Sequence, residues 1–305
     1  MRIIPYKTLV VILGPTGIGK TSLSIEIAQE LNTEIISCDS RQMYRELRIG
    51  TAVPEPFQLS QVKHHFIGNL SIHDYYNASE FEVQALQQLE QLFKHHQYAI
   101  MTGGSGLYID ALVKGIDELP AIDSTVRHDL KTRLQTDGLE ALQQDLFKID
   151  PDYYQTVDLK NPKRILKALE VFYMTGKPYS SFRTNESKHR PFKILQIGLA
   201  MDRQELYHRI NQRVDQMVEA GLVEEARPLF PYNHLNSLNT VGYKELFGYF
   251  AHEYDLDEAI GLIKRNSRHY AKRQITYWNR NKDIEWFHPS EKIKILDYIK
   301  SGLRT

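Results

Sequence analysis

Four short apolar runs punctuate the chain, and each gives way at its carboxyl end to glycine or aspartate. Thr8–Leu13 (TLVVIL) is β-branched and uninterrupted, as a strand buried on both faces of a parallel sheet must be. Glu34–Cys38 (EIISC) runs into Asp39, Tyr98–Thr102 (YAIMT) into a glycine cluster, and Lys193–Met201 (KILQIGLAM) forms a late strand. Lys20–Asn32 reads as the helix after the first run, and Ser79–Gln97 carries Phe81, Ala85, Leu89, Leu92 and Phe93 at helical spacing. Alternating strands and helices predict an α/β fold: a doubly wound parallel sheet with helices on both faces. The carboxyl ends of its strands would line one crevice.

Between the third and fourth runs the period changes. Asp123–Thr175 is almost wholly helical in pattern, and within it Asn161 stands where a cap belongs, Pro162 in the first turn and Gly176 just past the end. An insert of about seventy residues exceeds what a crossover needs, which predicts a separate helical lobe. The expected division is 1–118 with 192–305 for the core and C-terminal helices, and 119–191 for the lobe. After Met201 the pattern stays helical to Lys282, and IEWFH then reads as a short strand. The chain shows no internal repeat and no low-complexity tract.

The first crossover carries the clearest chemistry. Gly14, Pro15, Thr16, Gly17, Ile18, Gly19, Lys20 and Thr21 spell GPTGIGKT, the phosphate-loop pattern at every fixed position, between a strand and a helix. Glycines there let backbone amides converge on an oligophosphate, and the helix N-terminus adds its dipole. Lys20 supplies a cation and the Thr21 hydroxyl a ligand for Mg2+. A glycine-rich turn that merely opened a helix would not need the full motif. The ligand is therefore a phosphorylated small molecule, and whether it is a nucleotide stays open. Asp39, at the tip of the second strand, faces the same crevice. It suits a general base, a magnesium partner or the cap of a following turn, and spacing does not separate these roles.

Charge and cysteine content narrow the setting. The chain has 305 residues, and its 38 basic residues balance 38 acidic ones, so no global field advertises nucleic acid. Locally the balance breaks: 160–193 holds nine Lys or Arg against two acids, and 261–282 holds seven with no acid. In the second, Lys264, Arg265, Arg268, Lys272 and Arg273 recur at helical spacing, interleaved with His269, Tyr270, Tyr277 and Trp278. That pattern is either a solvated face or a surface for phosphate contact and base stacking. A single cysteine, Cys38, excludes an internal disulfide and a cysteine-based metal site. With neither a signal-like stretch nor a membrane-length apolar run, a cytoplasmic monomer that binds no membrane is expected.

The motifs resemble one family when taken in order. GPTGIGKT, DSRQMY followed by GTA, the pair His64–His65, GGSGLY, NPKRILKALEVFYMTGKP, LYHRINQRVDQMVEAGLVEEAR, TVGYKEL and YAKRQITYW are similar to segments of tRNA dimethylallyltransferases, in the shorter bacterial form, over nearly the whole chain. The resemblance implies a P-loop NTPase-like core with an inserted RNA-binding lobe. It further implies transfer of a dimethylallyl group from dimethylallyl diphosphate to the exocyclic amine of the adenosine beside the tRNA anticodon. The loop would then hold a leaving group rather than ATP. Asp39 resembles the family's general base, and Thr16 a second polar contact to substrate. The family also places an arginine on the diphosphate from the segment after the last strand. Arg209 and Arg213 share a helix face, and Arg213 is preferred over a merely solvated role beside Glu205 or Asp215. Residues resembling the family's tRNA contacts are Asp39, Ser40, Arg41, Gln42, Ser105, Arg127, Lys163, Arg164, Ile165, Leu166, Lys167, Asn239, Thr240, Val241, Gly242, Tyr243, Lys244, Lys272 and Arg273. The two basic clusters become walls of an RNA groove.

Two departures stand out. Gly17–Ile18 replaces the family's frequent Ala-Ser, removing one hydroxyl, and Ser105 replaces a more frequent Thr while keeping its hydroxyl. His64 and His65 receive no chemical role. The rivals are a phosphate-loop kinase, which needs ATP turnover and a second acidic magnesium site, and a prenyltransferase acting on free adenine nucleotides, which needs neither the basic helices nor the insert. A non-enzymatic RNA-binding module would leave the phosphate loop idle.

Overall fold

The computed structural model describes residues 7–117, 119, 123–184 and 187–302. Six strands form one all-parallel sheet: β1 (Thr8–Leu13), β2 (Ile35–Ser37), β3 (His64–His65), β4 (Tyr98–Gly103), β5 (Lys193–Leu199) and β6 (Ile284–Phe287), in the order β3-β2-β4-β1-β5-β6. All six residues of β1 are buried, which explains its unbroken apolar run. The register is what matters for function. Leu13 sits opposite Gly103 of β4 and Gly198 of β5, so the phosphate loop leaves the sheet level with the turn that follows β4. Ser37 pairs with Thr102, which puts Asp39 two residues beyond the same edge.

The helices Lys20–Glu30, Ala78–His95 and Pro162–Thr175 lie where periodicity predicts them. Among the elements not expected are β3 and the helices Pro56–Leu59, Gly106–Lys114 and Lys292–Ser301. A two-residue strand has no period to detect, and pairing of Ile35 with His64 makes it a strand through tertiary contact alone.

The chain divides into two compact units, Lys114–Lys188 and the remainder. In the larger one, Ile18, Leu23 and Ile27 pack with Ile100, Ile197, Leu199 and Ile210 into a core that reaches the phosphate loop. A second cluster joins Leu47, Leu222, Leu238, Tyr243, Phe247 and Ile263. Each such side chain contributes about 1.5–3 kcal/mol on burial, so the loop rests on a rigid floor. The smaller unit is helical, with Leu130, Leu142, Leu146, Tyr153, Ile165 and Leu169 at its centre. Its last long helix is capped as read: Asn161 Oδ1 accepts from the Arg164 amide at 3.4 Å, and Gly176 takes φ 70°. The unit's ends meet where the Lys188 amide donates to the Lys114 carbonyl at 2.7 Å. Among the described residues no helix is long and apolar enough to cross a membrane.

Candidate active site

The phosphate loop is held in shape by its glycines, by the core beneath it and by Lys20. Gly14, Gly17 and Gly19 adopt φ of 154°, 80° and 101°, which side-chain-bearing residues rarely reach, and a Cβ on Gly17 would lie 3.0 Å from Ile210 Cγ1. Ile18 is fully buried in the core beneath, so this position anchors the loop and offers a ligand only its backbone. Lys20 Nζ donates to the carbonyls of Gly14 and Pro15 at 2.7 and 2.9 Å. Burial, reinforced by the Arg213 charge and opposed by Asp39, brings its amine down to about 8.

The arginine reaches the loop from the helix Arg203–Glu219, whose first turn Asp202 caps. Arg213 Nη1 donates to Thr16 Oγ1 at 3.1 Å, and burial lowers its guanidinium pKa against the opposing pull of Asp39. Asp215, the alternative partner, pairs instead with Lys264 at 2.5 Å. Arg209, one turn earlier, lines the same cavity, with Nη2 3.3 Å from where a Cβ on Gly19 would stand.

Asp39 closes a turn and reaches the cavity as well. Its Oδ1 accepts from the Arg41 amide at 2.9 Å, closing a turn, while the carboxylate lines the cavity that holds the phosphate loop. The neighbouring Ser40 amide donates to Ser105 Oγ at 2.9 Å, tying this turn to the one after β4. Arg41 Nη1 donates to the carbonyls of Asn236 and Ser237, each at 3.0 Å, and Gln42 Nε2 to those of Thr51 and Ala52, each at 3.0 Å. These side chains organise the loops around Asp39.

The cavity is about 670 Å³. Thr16, Lys20, Thr21, Asp39, Arg209 and Arg213 line it together with Ile49, Val53, Ile67 and Met217, so it can take a molecule with a charged end and a short apolar one. One lining residue, Gln274, was given no role in the sequence reading, and another, Tyr270, was read there only as part of an RNA-stacking surface. Gln274, 6 % exposed, accepts from the Thr16 amide through Oε1 at 2.9 Å and donates from Nε2 to the Gly104 carbonyl at 2.8 Å. Tyr270 donates to the same carbonyl at 3.4 Å; burial, with Asp39 adding to it, raises its hydroxyl pKa. The signal was available, since Tyr270, Gln274 and Tyr277 fall on one face of the helix Leu256–Trp278, and Tyr277 meets Asp110.

Several expected RNA contacts are placed differently. Ile165 is fully buried in the smaller unit's core and Leu166 packs on it, because helical spacing turns these two inward while Lys163 and Arg164 stay exposed. Arg127 Nε pairs with Glu170 Oε1 at 2.9 Å, and burial lowers the Lys167 amine against the pull of Glu170. In the larger unit Asn239 and Lys244 are exposed, Thr240 and Val241 are half-buried, and Gly242 is buried at the start of the helix Tyr243–Phe250. Tyr243 is fully buried and donates to Glu225 Oε1 at 2.6 Å, a core role rather than a base contact. The basic helix also splits. Lys264 pairs with Asp215, Arg268 donates to Asn211 Oδ1 at 2.6 Å, and Trp278 is 3 % exposed and unable to stack on a base. Arg265, His269, Lys272 and Arg273 remain exposed. His64 Nδ1 bonds the Val62 carbonyl at 2.8 Å while its ring lines the cavity, and His65 Nε2 bonds Glu34 at 2.6 Å.

Comparison with known proteins decides the family. A family model described as IPP transferase matches residues 42–282, and a tRNA dimethylallyltransferase of Phocaeicola vulgatus is 54% identical over 96% of this chain and 98% of its own length. The chain belongs to the IPP transferase family. A crystal structure of a tRNA isopentenylpyrophosphate transferase from Bacillus halodurans superposes with a TM-score of 0.72 at 34% identity, covering 98% of this chain and 97% of that one. A eukaryotic dimethylallyltransferase, described as acting on tRNA, reaches a TM-score of 0.78 at 25% identity over 93% of this chain and 74% of its own. These neighbours carry the family's P-loop-like α/β architecture, which the parallel sheet and its first crossover reproduce here.

Proposed function

We propose that this IPP transferase family member moves a dimethylallyl group from dimethylallyl diphosphate to the exocyclic amine of the adenosine 3'-adjacent to a tRNA anticodon, releasing diphosphate. One observation carries the reading: a carboxylate, Asp39, shares a single cavity with the cationic phosphate loop and with apolar walls. Transfer breaks the carbon–oxygen bond to diphosphate and forms a carbon–nitrogen bond. The departing charge is met by the loop amides, Lys20 and Arg213, whose positions are already fixed by the Gly14, Pro15 and Thr16 contacts. The adenine amine is a weak nucleophile because its lone pair is delocalised into the ring, so removal of its proton as the new bond forms lowers the barrier. Asp39 accepts that proton, its Oδ1 being steadied by the Arg41 amide.

The donor set suits a hard cation. Among the described residues no cluster of three His, Cys, Asp or Glu side chains could hold a metal by protein ligands alone, whereas the Thr21 hydroxyl and Asp39 carboxylate offer oxygen at the cavity wall. Mg2+ bound there through Thr21 and diphosphate oxygens would supply further neutralisation of the leaving group. The apolar walls at Ile49, Val53, Ile67 and Met217 suit a five-carbon tail. The exposed Lys272 and Arg273 suit phosphates of the RNA backbone.

The test is transfer from labelled dimethylallyl diphosphate to unmodified tRNA carrying the anticodon-adjacent adenosine, to AMP and to ADP, with ATP hydrolysis recorded in parallel. Label in tRNA alone is expected. Label in free nucleotides would make the enzyme a nucleotide prenyltransferase, and ATP consumption without label would make it a kinase.

A further inference from the structure

We infer that Gln274 is a positioning residue that sets the separation between the leaving-group end and the base end of the cavity; this rests on the transfer reading above. Its amide group bridges two loops that no other described contact of this kind joins through one side chain. On one side Oε1 takes the Thr16 amide at 2.9 Å; on the other Nε2 gives to the Gly104 carbonyl at 2.8 Å. The backbone N–H can only donate and the carbonyl can only accept, so the orientation of the carboxamide is dictated and cannot flip without breaking both bonds. A side chain 258 residues downstream in sequence thereby fixes the one loop residue whose hydroxyl holds Arg213.

The second bond acts on the base. Gly104 belongs to the turn after β4, whose next residue, Ser105, accepts from the Ser40 amide beside Asp39. A Cβ on Gly104 would lie 2.5 Å from Gln274 Nε2, so the turn and the carboxamide are in direct contact. Two chains of contacts therefore start at one buried amide. One runs through Thr16 to Arg213, where negative charge departs, and the other through Gly104 and Ser105 to the Ser40–Asp39 turn, where a proton is taken. Tyr270, one helical turn before Gln274, donates to the same Gly104 carbonyl and holds the turn against the helix. In-line displacement requires nucleophile, carbon and leaving oxygen to be aligned, and a drift of about 1 Å costs on the order of a hundredfold in rate.

Two substitutions test this. Gln274→Met keeps the volume and removes both bonds. Gln274→Glu keeps them only while protonated, a state that burial favours to higher pH than for an exposed carboxyl. The expected result for Gln274→Met is a fall in kcat of about thirty- to hundredfold with KM for tRNA within about threefold of the parent. Gln274→Glu should approach the parent as pH is lowered from 8 to 6. Each rate is taken relative to the parent at the same pH, so that titration of Lys20, Asp39, Arg213 and Tyr270 on the same cavity cancels. Inorganic pyrophosphate binding to Gln274→Met should weaken about tenfold. Unchanged kcat in the Met variant overturns the inference. So does a loss that tracks a fallen melting temperature and is not recovered by Glu at low pH, since that is a merely structural role. If the parent protein moves no prenyl group to tRNA, the transfer reading fails by itself. The inference about separation then falls with it, and the pyrophosphate titration still tells whether Gln274 shapes the phosphate loop, weakened binding showing that it does and unchanged binding that it does not.

Discussion

The cations of the cavity and those of the helical unit Lys114–Lys188 differ in what they are held by. Lys20 and Arg213 are fixed by carbonyls and a hydroxyl, neutral groups that set their geometry without an ion pair's compensation. Arg127 and Arg133 are fixed by Glu170 and Asp145, at 2.9 and 2.7 Å. A cation seated among neutral dipoles keeps an unmet demand for an anion, which a diphosphate can satisfy; a cation seated on a carboxylate joins helices instead. The same division runs through the helix Leu256–Trp278, where Lys264 is paired with Asp215 while Lys272 and Arg273 are exposed.

The largest test of this difference removes charge from the cavity. Asp39→Asn should lower kcat about a thousandfold, because it deletes the proton acceptor but keeps the turn that Oδ1 closes, and single-turnover transfer with bound tRNA reads it directly. Arg213→Ala should cost about a hundredfold in kcat, since one donor to the developing diphosphate charge is lost; a smaller effect than Arg209→Ala would give the role to its neighbour.

Lys20 yields a pH test of intermediate size. Its folded pKa lies below the usual lysine value, at about 8, so the unliganded protein gains stability as pH rises from about 8 toward 10.5 and the buried charge is shed. A bound diphosphate favours the charged amine and reverses that preference. Pyrophosphate affinity, measured by calorimetry, should therefore fall up to about tenfold between pH 8 and 9. Flat affinity across that range would mean that Lys20 contributes no charge to binding.

The smallest effects separate paired from exposed cations. Lys272→Ala with Arg273→Ala should weaken tRNA binding about tenfold and make its salt dependence shallower, whereas Lys264→Ala should leave both near the parent values. Arg127→Ala should instead lower the stability of the helical unit by about 2 kcal/mol, because Glu170 is then left buried without its arginine. Chemical denaturation followed through that unit measures it. Equal loss of tRNA affinity from Lys264 and Lys272 would erase the distinction.

Sequence reading reached those features that are local. Gly14–Thr21 announces its own fold, since glycine spacing, the preceding apolar strand and the following helix all lie within some twenty-five residues. Asn161, Pro162 and Gly176 likewise bound their helix from within. What stayed hidden depends on distant partners. The inward turn of Ile165 and Tyr243 follows from which face of a helix finds a core, and a motif match in sequence does not tell an inward residue from an outward one. Lys264 read as part of a basic stripe because Asp215, its partner, stands on another helix. Gln274 is the extreme case: an ordinary residue in a basic segment, meaningful only once Thr16 and Gly104 are brought to either side of it.

The position of β1 also has a consequence for how the protein is made. This first strand is enclosed by β4 on one side and β5 on the other, with Thr8 opposite both Tyr98 and Lys193. At about 5–20 residues per second, a ribosome needs roughly ten to forty seconds between releasing the first of these segments and the last. During that interval the most apolar stretch of the chain, Thr8–Leu13, has no complete shelter, and the phosphate loop behind it has no floor. The sheet around the phosphate loop therefore closes only when β5 joins β1, so the site is completed by a segment nearly two hundred residues after the one that begins it.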